Sequence, residues 1–132
     1  MNLNPEQARA KLVEALRSGK YEKGIEALRR EDRYCCLGVA CDLYKKHEGI
    51  GDWEWDEFQS SWSFLGDIES LPQKVMDWLG FKDETGALID DIEERSLRLS
   101  SLMDLNDNEC GMDFPGIADV IESGKVKVDL ED

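Results

Sequence analysis

Histidine and long apolar runs are scarce in this sequence, and each scarcity excludes a class of protein. His47 is the single histidine, so any serine or cysteine nucleophile would depend on it, and no G-x-S-x-G segment is present. No apolar run approaches the roughly 18 residues that a membrane span needs, and the N-terminus lacks the apolar stretch of a signal peptide. We therefore expect a cytoplasmic protein that binds no membrane, and a serine or cysteine hydrolase is disfavoured.

Cysteine is too sparse for a secreted scaffold held by disulfide bonds. The four cysteines include the neighbours Cys35 and Cys36, which cannot readily bond to each other. No C-x2-C pair exists, and adjacent residues on a helix point about 100° apart, which makes these two poor co-ligands of zinc. The cysteines and the histidine available to a zinc site are Cys35, Cys36, Cys41, His47 and Cys110. We expect buried, reduced thiols instead, and neither a metal nor another cofactor.

Basic residues are heavily outnumbered, with 16 Lys and Arg against 30 Asp and Glu and a net charge of -14. Such a surface repels phosphate groups, so direct binding of nucleic acid is disfavoured. The charge is uneven: residues 1–46 carry 10 basic and 7 acidic residues, whereas residues 47–132 carry 6 and 23. No linker composition separates the two parts, and 132 residues suit one core. We expect residues 1–132 to form a single globular domain whose faces differ in charge.

Hydrophobic periodicity predicts a mainly α domain of the α+β class, with about five helices and a small β-hairpin or edge strand. The sequence Asn4-Pro5-Glu6-Gln7 combines an N-cap, a proline at the first helical position and a capping-box glutamine. Further helices are predicted over 36–46, 72–79 and 91–105, and a last one from Phe114 to its closing Gly124. A hairpin is predicted over 81–89 and an edge strand over 126–130. The pattern of residues 21–33 predicts a short helix or an ordered loop. Residues 47–70 are predicted to form an irregular segment rich in aromatic residues.

Basic residues and tyrosines between positions 17 and 34 supply the chemistry for an anionic ligand. Guanidinium groups bind phosphate, and aromatic rings stack on a planar base. The candidate ligand-binding residues are Arg17, Lys20, Tyr21, Arg29, Arg33, Tyr34, Trp53 and Trp55. Two alternatives stay open: the cations pair with acidic residues on the surface, and the tryptophans complete the core or form a dimer interface.

The acidic segment 104–113 suggests a divalent metal site as an alternative. It fails the EF-hand template, because Glu109 stands where the template requires glycine and Pro115 stands where it requires the last acidic ligand. A different carboxylate site, suited to phosphodiester hydrolysis, would use Asp104, Asp107, Glu109 and Asp113. We favour the interpretation in which polar side chains of this segment accept hydrogen bonds from helix-end amides, namely Asn106, Asp107 and Asp113.

Two segments carry a resemblance to a known group of proteins. The sequences ALRSGKY (residues 15–21) and YCCLGVACDL (residues 34–43) resemble a family of small uncharacterised proteins of bacteriophages and prophages. Similar blocks occur at 71–80, 105–107 and 114–122, so the likeness spans most of residues 15–122. The resemblance supplies no catalytic residues. It implies a phage accessory protein, and such proteins often block host defence.

Three functions from different classes are compatible with these features. We expect a binding protein more than an enzyme, one that acts in the host cytoplasm and sequesters a small anionic ligand of nucleotide type. The first alternative is an inhibitor directed at a host enzyme, with an acidic surface that mimics DNA. The second is a metal-dependent phosphodiesterase. The first function ranks highest because a basic, tyrosine-bearing patch does not suit DNA mimicry, whereas acidity elsewhere serves solubility.

Overall fold

Five helices and two sheets make up the part of the chain that the computed structural model describes, residues 3–94, 97–107 and 112–129. The helices are α1 (Pro5–Arg17), α2 (Cys36–Glu48), α3 (Gln73–Leu79), α4 (Leu102–Asp107) and α5 (Phe114–Glu122). The strands are β1 (Glu22–Lys23), β2 (Arg29–Arg30), β3 (Arg33–Tyr34), β4 (Trp53–Asp56), β5 (Ser61–Phe64), β6 (Ala87–Glu94) and β7 (Leu97–Ser101).

The prediction of a mainly α domain with a single hairpin or edge strand is wrong. A five-stranded mixed sheet has the order β1-β3-β2-β5-β4, and β6 and β7 form a separate two-stranded sheet. The domain therefore mixes helix and sheet. Periodicity missed the larger sheet because β1, β2 and β3 have two residues each, too few to display the alternation of a strand.

Several further segments differ from their predicted structure, because local periodicity does not distinguish a strand from a helix there. Within 91–105 the described residues belong to strands β6 and β7 and to the short helix α4, and Ile92 and Leu99 face each other across the antiparallel β6–β7 pair. Their spacing of seven residues fits two helical turns equally well. Residues 53–64 form the β4–β5 hairpin. Near the C-terminus, Val126 and Val128 form isolated bridges to Leu88 and Phe81.

The helix ends that had clear capping signals are confirmed. The Asn4 side chain accepts from the Gln7 amide at 2.8 Å, and the Gln7 side chain accepts from the Asn4 amide at 3.0 Å. Helix α3 ends at Gly80, whose φ of 71° is the left-handed conformation that glycine favours. Local chemistry of this kind does not depend on the tertiary fold, which is why the sequence predicts it well.

Helix α2 lies at the centre of the core, and it positions the surface described below. All of its residues from Cys36 to Tyr44 are buried. A Cβ atom on Gly38 would lie 1.7 Å from the carbonyl oxygen of Leu28, so only glycine lets α2 approach the chain just before β2. Among the described helices, none is long and apolar enough to cross a membrane.

Candidate functional site

One face of the five-stranded sheet carries aromatic rings around Arg29. Arg29 on β2 faces Tyr34 on β3 and Trp62 on β5, and Trp62 in turn faces Trp55 on β4. Residues directly opposite each other in a sheet project from the same face. Trp53, two residues before Trp55, lies on that face as well. We call these five residues the aromatic–arginine surface.

The Arg29 guanidinium is held by rings and retains donors for a ligand. Its central carbon lies 4.4 Å from the Trp62 ring centroid, 5.5 Å from that of Tyr34 and 5.6 Å from that of Trp53. Its Nε atom donates to the backbone oxygen of Glu31 at 2.8 Å. Within the described ranges neither terminal nitrogen has an acceptor. The group is therefore fixed in position while its terminal nitrogens stay available to an anion or a carbonyl oxygen.

A buried carboxylate, Asp42 of α2, anchors the rings from below. It accepts hydrogen bonds from the Tyr21 hydroxyl at 2.6 Å and from Trp53 Nε1 at 3.1 Å, and Lys46 Nζ lies 3.1 Å away. Burial alone would raise the pKa of Asp42, but the hydrogen bonds from Tyr21, Trp53 and Lys46 hold this pKa below its ordinary value. Asp42 is therefore ionised at neutral pH.

Tyr21 links this carboxylate to the aromatic–arginine surface. Its ring meets that of Tyr34 edge to face, with the centroids 5.2 Å apart, and Lys46 Nζ lies 5.4 Å from its centroid. Burial and the hydrogen bond to Asp42 both raise the pKa of Tyr21, so its hydroxyl remains a donor. Tyr34 is packed in turn against Trp53, at 5.8 Å between centroids. Tyr34 and Trp53 of the surface are therefore held in place by their contacts with Tyr21 and Asp42.

Five of the eight sequence-predicted ligand residues belong to this connected cluster: Tyr21, Arg29, Tyr34, Trp53 and Trp55.

The other three predicted residues lie elsewhere. Arg17, at the end of α1, donates to Asp119 at 2.6 Å and to Glu122 at 2.9 Å, both on α5. Arg33 is next to Tyr34 on β3 and so projects from the opposite face of the sheet. Lys20 is exposed in the turn after α1. The arginines of the first third thus do not converge on one place.

Sequence reasoning missed Trp62 and Asp42 as members of the site. Trp62 was included only in an aromatic segment, and its partner Arg29 is 33 positions away in the sequence, joined to it by the β2–β5 register. Asp42 had a readable signal, because it is the one charged residue between Cys35 and Tyr44 in an otherwise apolar run. A carboxylate in a buried helix needs donors from elsewhere in the fold.

The β4–β5 hairpin, which carries Trp53, Trp55 and Trp62 of this surface, has exposed aromatic residues at Trp55 and at its tip. Trp55 is 49% exposed, and Phe58, at the hairpin tip, is fully exposed at 101%. Of the seven exposed large hydrophobic residues found in the described ranges, four lie between positions 50 and 65. Exposed acidic residues adjoin them in the sequence, among them Glu54 and Glu57. Exposed rings and carboxylates thus occur together on this hairpin.

Two clefts of about 550 Å³ and about 390 Å³ lie away from this surface. The larger is lined by Arg30, Met103 and several acidic residues, and the smaller lies between α1 and α5 around Arg9. Neither is lined by a residue of the aromatic–arginine surface. These two clefts are therefore separate from the aromatic–arginine surface.

The thiols do not have the environment of a nucleophile. Cys35, Cys36 and Cys41 are buried, and burial raises the pKa of Cys35 to about 12 and that of the other two well above the ordinary value. His47 is exposed at the end of α2, with its ring 6.3 Å from that of Trp78. The fourth cysteine, Cys110, lies outside the described residues.

The acidic segment near α4 forms backbone contacts in the part that the structure describes. Asp113 accepts from the Gly116 amide at 2.9 Å as the N-cap of α5, and Asp107 accepts from the Glu26 amide at 3.0 Å. Asp104 accepts from the Ser100 amide at 2.9 Å. Glu109 lies outside the described residues. Within those residues no three His, Cys, Asp or Glu side chains are grouped so that they could hold a metal ion.

The fold and this surface define a small α+β domain organised around one buried helix. The chain belongs to the family described as Domain of unknown function (DUF8296), whose model matches residues 4–125. No curated protein and no solved structure matches the chain. The matched range includes all of the aromatic–arginine surface and the Asp42 network beneath it.

Proposed function

We propose that this chain is a phage accessory protein that acts in the host cytoplasm by binding a host protein through the β4–β5 hairpin. The exposure of Trp55 and Phe58 on the β4–β5 hairpin, whose Trp62 packs against Arg29, carries this proposal. Tryptophan, tyrosine and arginine dominate the energetics of protein interfaces, and a concentrated exposed apolar patch marks an interaction site. The phage origin rests on the resemblance of YCCLGVACDL to phage and prophage proteins.

The hairpin is anchored, which favours a preorganised interface. Trp53 and Phe64 face each other at the base of the hairpin and are 8% and 0% exposed. Trp53 also donates to Asp42 of the central helix. A surface that is already ordered loses little conformational entropy when a partner binds.

The charge of the chain favours a basic partner. Glu54, Asp56 and Glu57 lie on the hairpin itself, and residues 47–132 carry a net charge of -17. Complementary charge accelerates association and selects among partners, and salt screens it. The proposal keeps the acidic surface of the alternative inhibitor directed at a host enzyme, and it adds an apolar contact through Trp55 and Phe58.

Site-specific photocrosslinking in host cells tests the proposal. A benzoylphenylalanine replaces Phe58 in one sample and, as the matched control, Ile89, which is 56% exposed on β6. We expect discrete protein adducts from position 58 only, and a lower yield when Trp55→Ala is added. Adducts of equal yield from both positions, or none from position 58, would contradict the proposal.

The uncommitted donors of Arg29 favour a second candidate, a small anionic ligand with a planar ring. The ring would stack on Trp55 or Trp62, and its phosphate would accept from the Arg29 terminal nitrogens. Calorimetry against cyclic nucleotides and ADP-ribose-type nucleotides tests this candidate. We expect Arg29→Ala to abolish binding and Arg17→Ala to leave it unchanged, because Arg17 is paired with α5. Absence of heat with every nucleotide would exclude this candidate.

A further inference from the structure

Strand β4 has an open edge. It is the last strand in the order β1-β3-β2-β5-β4, with β5 on one side. No other strand within the described ranges pairs with it. An open edge presents backbone donors and acceptors to any extended chain that approaches it.

The hydrogen-bond pattern identifies which groups point outward. Phe64 exchanges backbone hydrogen bonds with Asp67, at 2.8 and 3.0 Å, so its amide and carbonyl point away from Trp53 across the ladder. Because this orientation alternates along an antiparallel pair, Trp53 and Trp55 direct their backbone groups outward, whereas Glu54 directs its own toward β5. The Trp53 amide is already capped by Asp52 at 2.9 Å. The free edge thus offers the amide and carbonyl of Trp55 and the carbonyl of Trp53.

Side chains along the same edge define what a new strand would meet. Trp53 and Trp55 lie on one face of β4, and Glu54 and Asp56 lie on the other. A second copy of the chain paired along this edge would bring Glu54 and Asp56 of each copy together, and like charges in adjacent strands are destabilising. A segment with basic residues at alternate positions would face the carboxylates and place its apolar residues beside Trp55.

We infer that the open edge of β4 binds an extended segment of a partner protein, with alternating apolar and basic residues, by strand addition. This inference rests on the proposed function and specifies the chemistry of the partner. Backbone hydrogen bonds to Trp55 set the register of the added strand, Trp55 supplies the apolar contact, and Glu54 and Asp56 select the positive charges.

A synthetic peptide of alternating Lys and Val residues, acetylated and amidated at its ends, tests the inference by fluorescence anisotropy. Its controls are a peptide of the same composition with the lysines in one block and an alternating Glu and Val peptide. We expect the alternating basic peptide to bind best. The double variant Glu54→Lys with Asp56→Lys should weaken its binding about tenfold and strengthen binding of the acidic peptide, because two cross-strand pairs change sign.

Hydrogen exchange of the Trp55 amide reports the binding mode directly. We expect this amide to exchange at least about tenfold more slowly when the basic peptide is bound, while exchange at Ile89 stays unchanged. Equal binding of the block peptide, insensitivity to the charge reversal, or an unprotected Trp55 amide would overturn the inference. If crosslinks from position 58 persist in that case, the proposed function stands without strand addition. If they are absent while the peptide still protects Trp55, the proposed function fails and the edge site stands.

Discussion

Replacement of Asp42 by alanine should destabilise the domain and disorder its surface together. The side chain of Asp42 is 12% exposed and holds the Tyr21 hydroxyl, Trp53 Nε1 and the Lys46 ammonium. A hydrogen bond to a charged group contributes about 1.5–3 kcal/mol, and the buried Trp53 donor would be left without an acceptor. Lys46 is 64% exposed, so solvent screens its share strongly. We expect Asp42→Ala to lower the free energy of unfolding by about 3 kcal/mol.

Urea unfolding of Asp42→Ala and Asp42→Asn measures the effect. The asparagine keeps one acceptor and the size of the side chain, so its loss should be about half as large. Near-ultraviolet circular dichroism should change more in the alanine variant, because Trp53 and Tyr21 lose their common anchor. A loss below about 1 kcal/mol in Asp42→Ala, with unchanged aromatic dichroism, would refute the role of the carboxylate as the anchor of the surface.

The lowered pKa of Asp42 also fixes the direction of a pH effect. A carboxylate whose pKa is lower in the folded than in the unfolded state contributes stability above the unfolded pKa of about 3.9, and that contribution is lost as pH falls through the folded pKa. The wild type should therefore lose more stability than Asp42→Asn between about pH 5 and pH 2. Parallel acid unfolding curves for the two proteins would contradict this assignment.

Two further predictions concern the buried helix. Gly38→Ala should cost at least about 2 kcal/mol in chemical unfolding, because its Cβ would meet the Leu28 carbonyl oxygen at 1.7 Å. Gly19→Ala, with no atom within 4 Å but a φ of 76°, should cost only about 1 kcal/mol, and equal losses would contradict the packing argument. In a Cys110→Ser background, the thiols should react with Ellman's reagent only on unfolding; rapid reaction of the native protein would contradict the burial of Cys35, Cys36 and Cys41.

Local signals and tertiary register explain what the sequence could and could not predict. The capping box at Asn4 and the glycine after α3 act within a few residues, and both ends are where the sequence predicts them. The larger sheet depends on pairs such as Arg29 with Trp62, which no local period encodes. Residue chemistry alone identifies Tyr21, Tyr34 and Arg29 as candidate ligand residues. Arg17 has the same chemistry as Arg29, but it pairs with Asp119 on α5, away from the site. Residue type therefore predicted candidates, and the topology decided which of them share a face.

The segment YCCLGVACDL joins the core to the proposed interface. Gly38 lets α2 pack against Leu28, and the Cys35 amide donates to the Leu28 carbonyl at 3.2 Å. Leu28 immediately precedes Arg29. The contact between α2 and Leu28 therefore fixes the position of the Arg29 backbone in the sheet. Asp42, one turn further along α2, holds Trp53 at the start of the β4 edge. A core substitution that shifts α2 should therefore move Arg29 and the β4 edge together, and binding should weaken even where no interface residue has been changed.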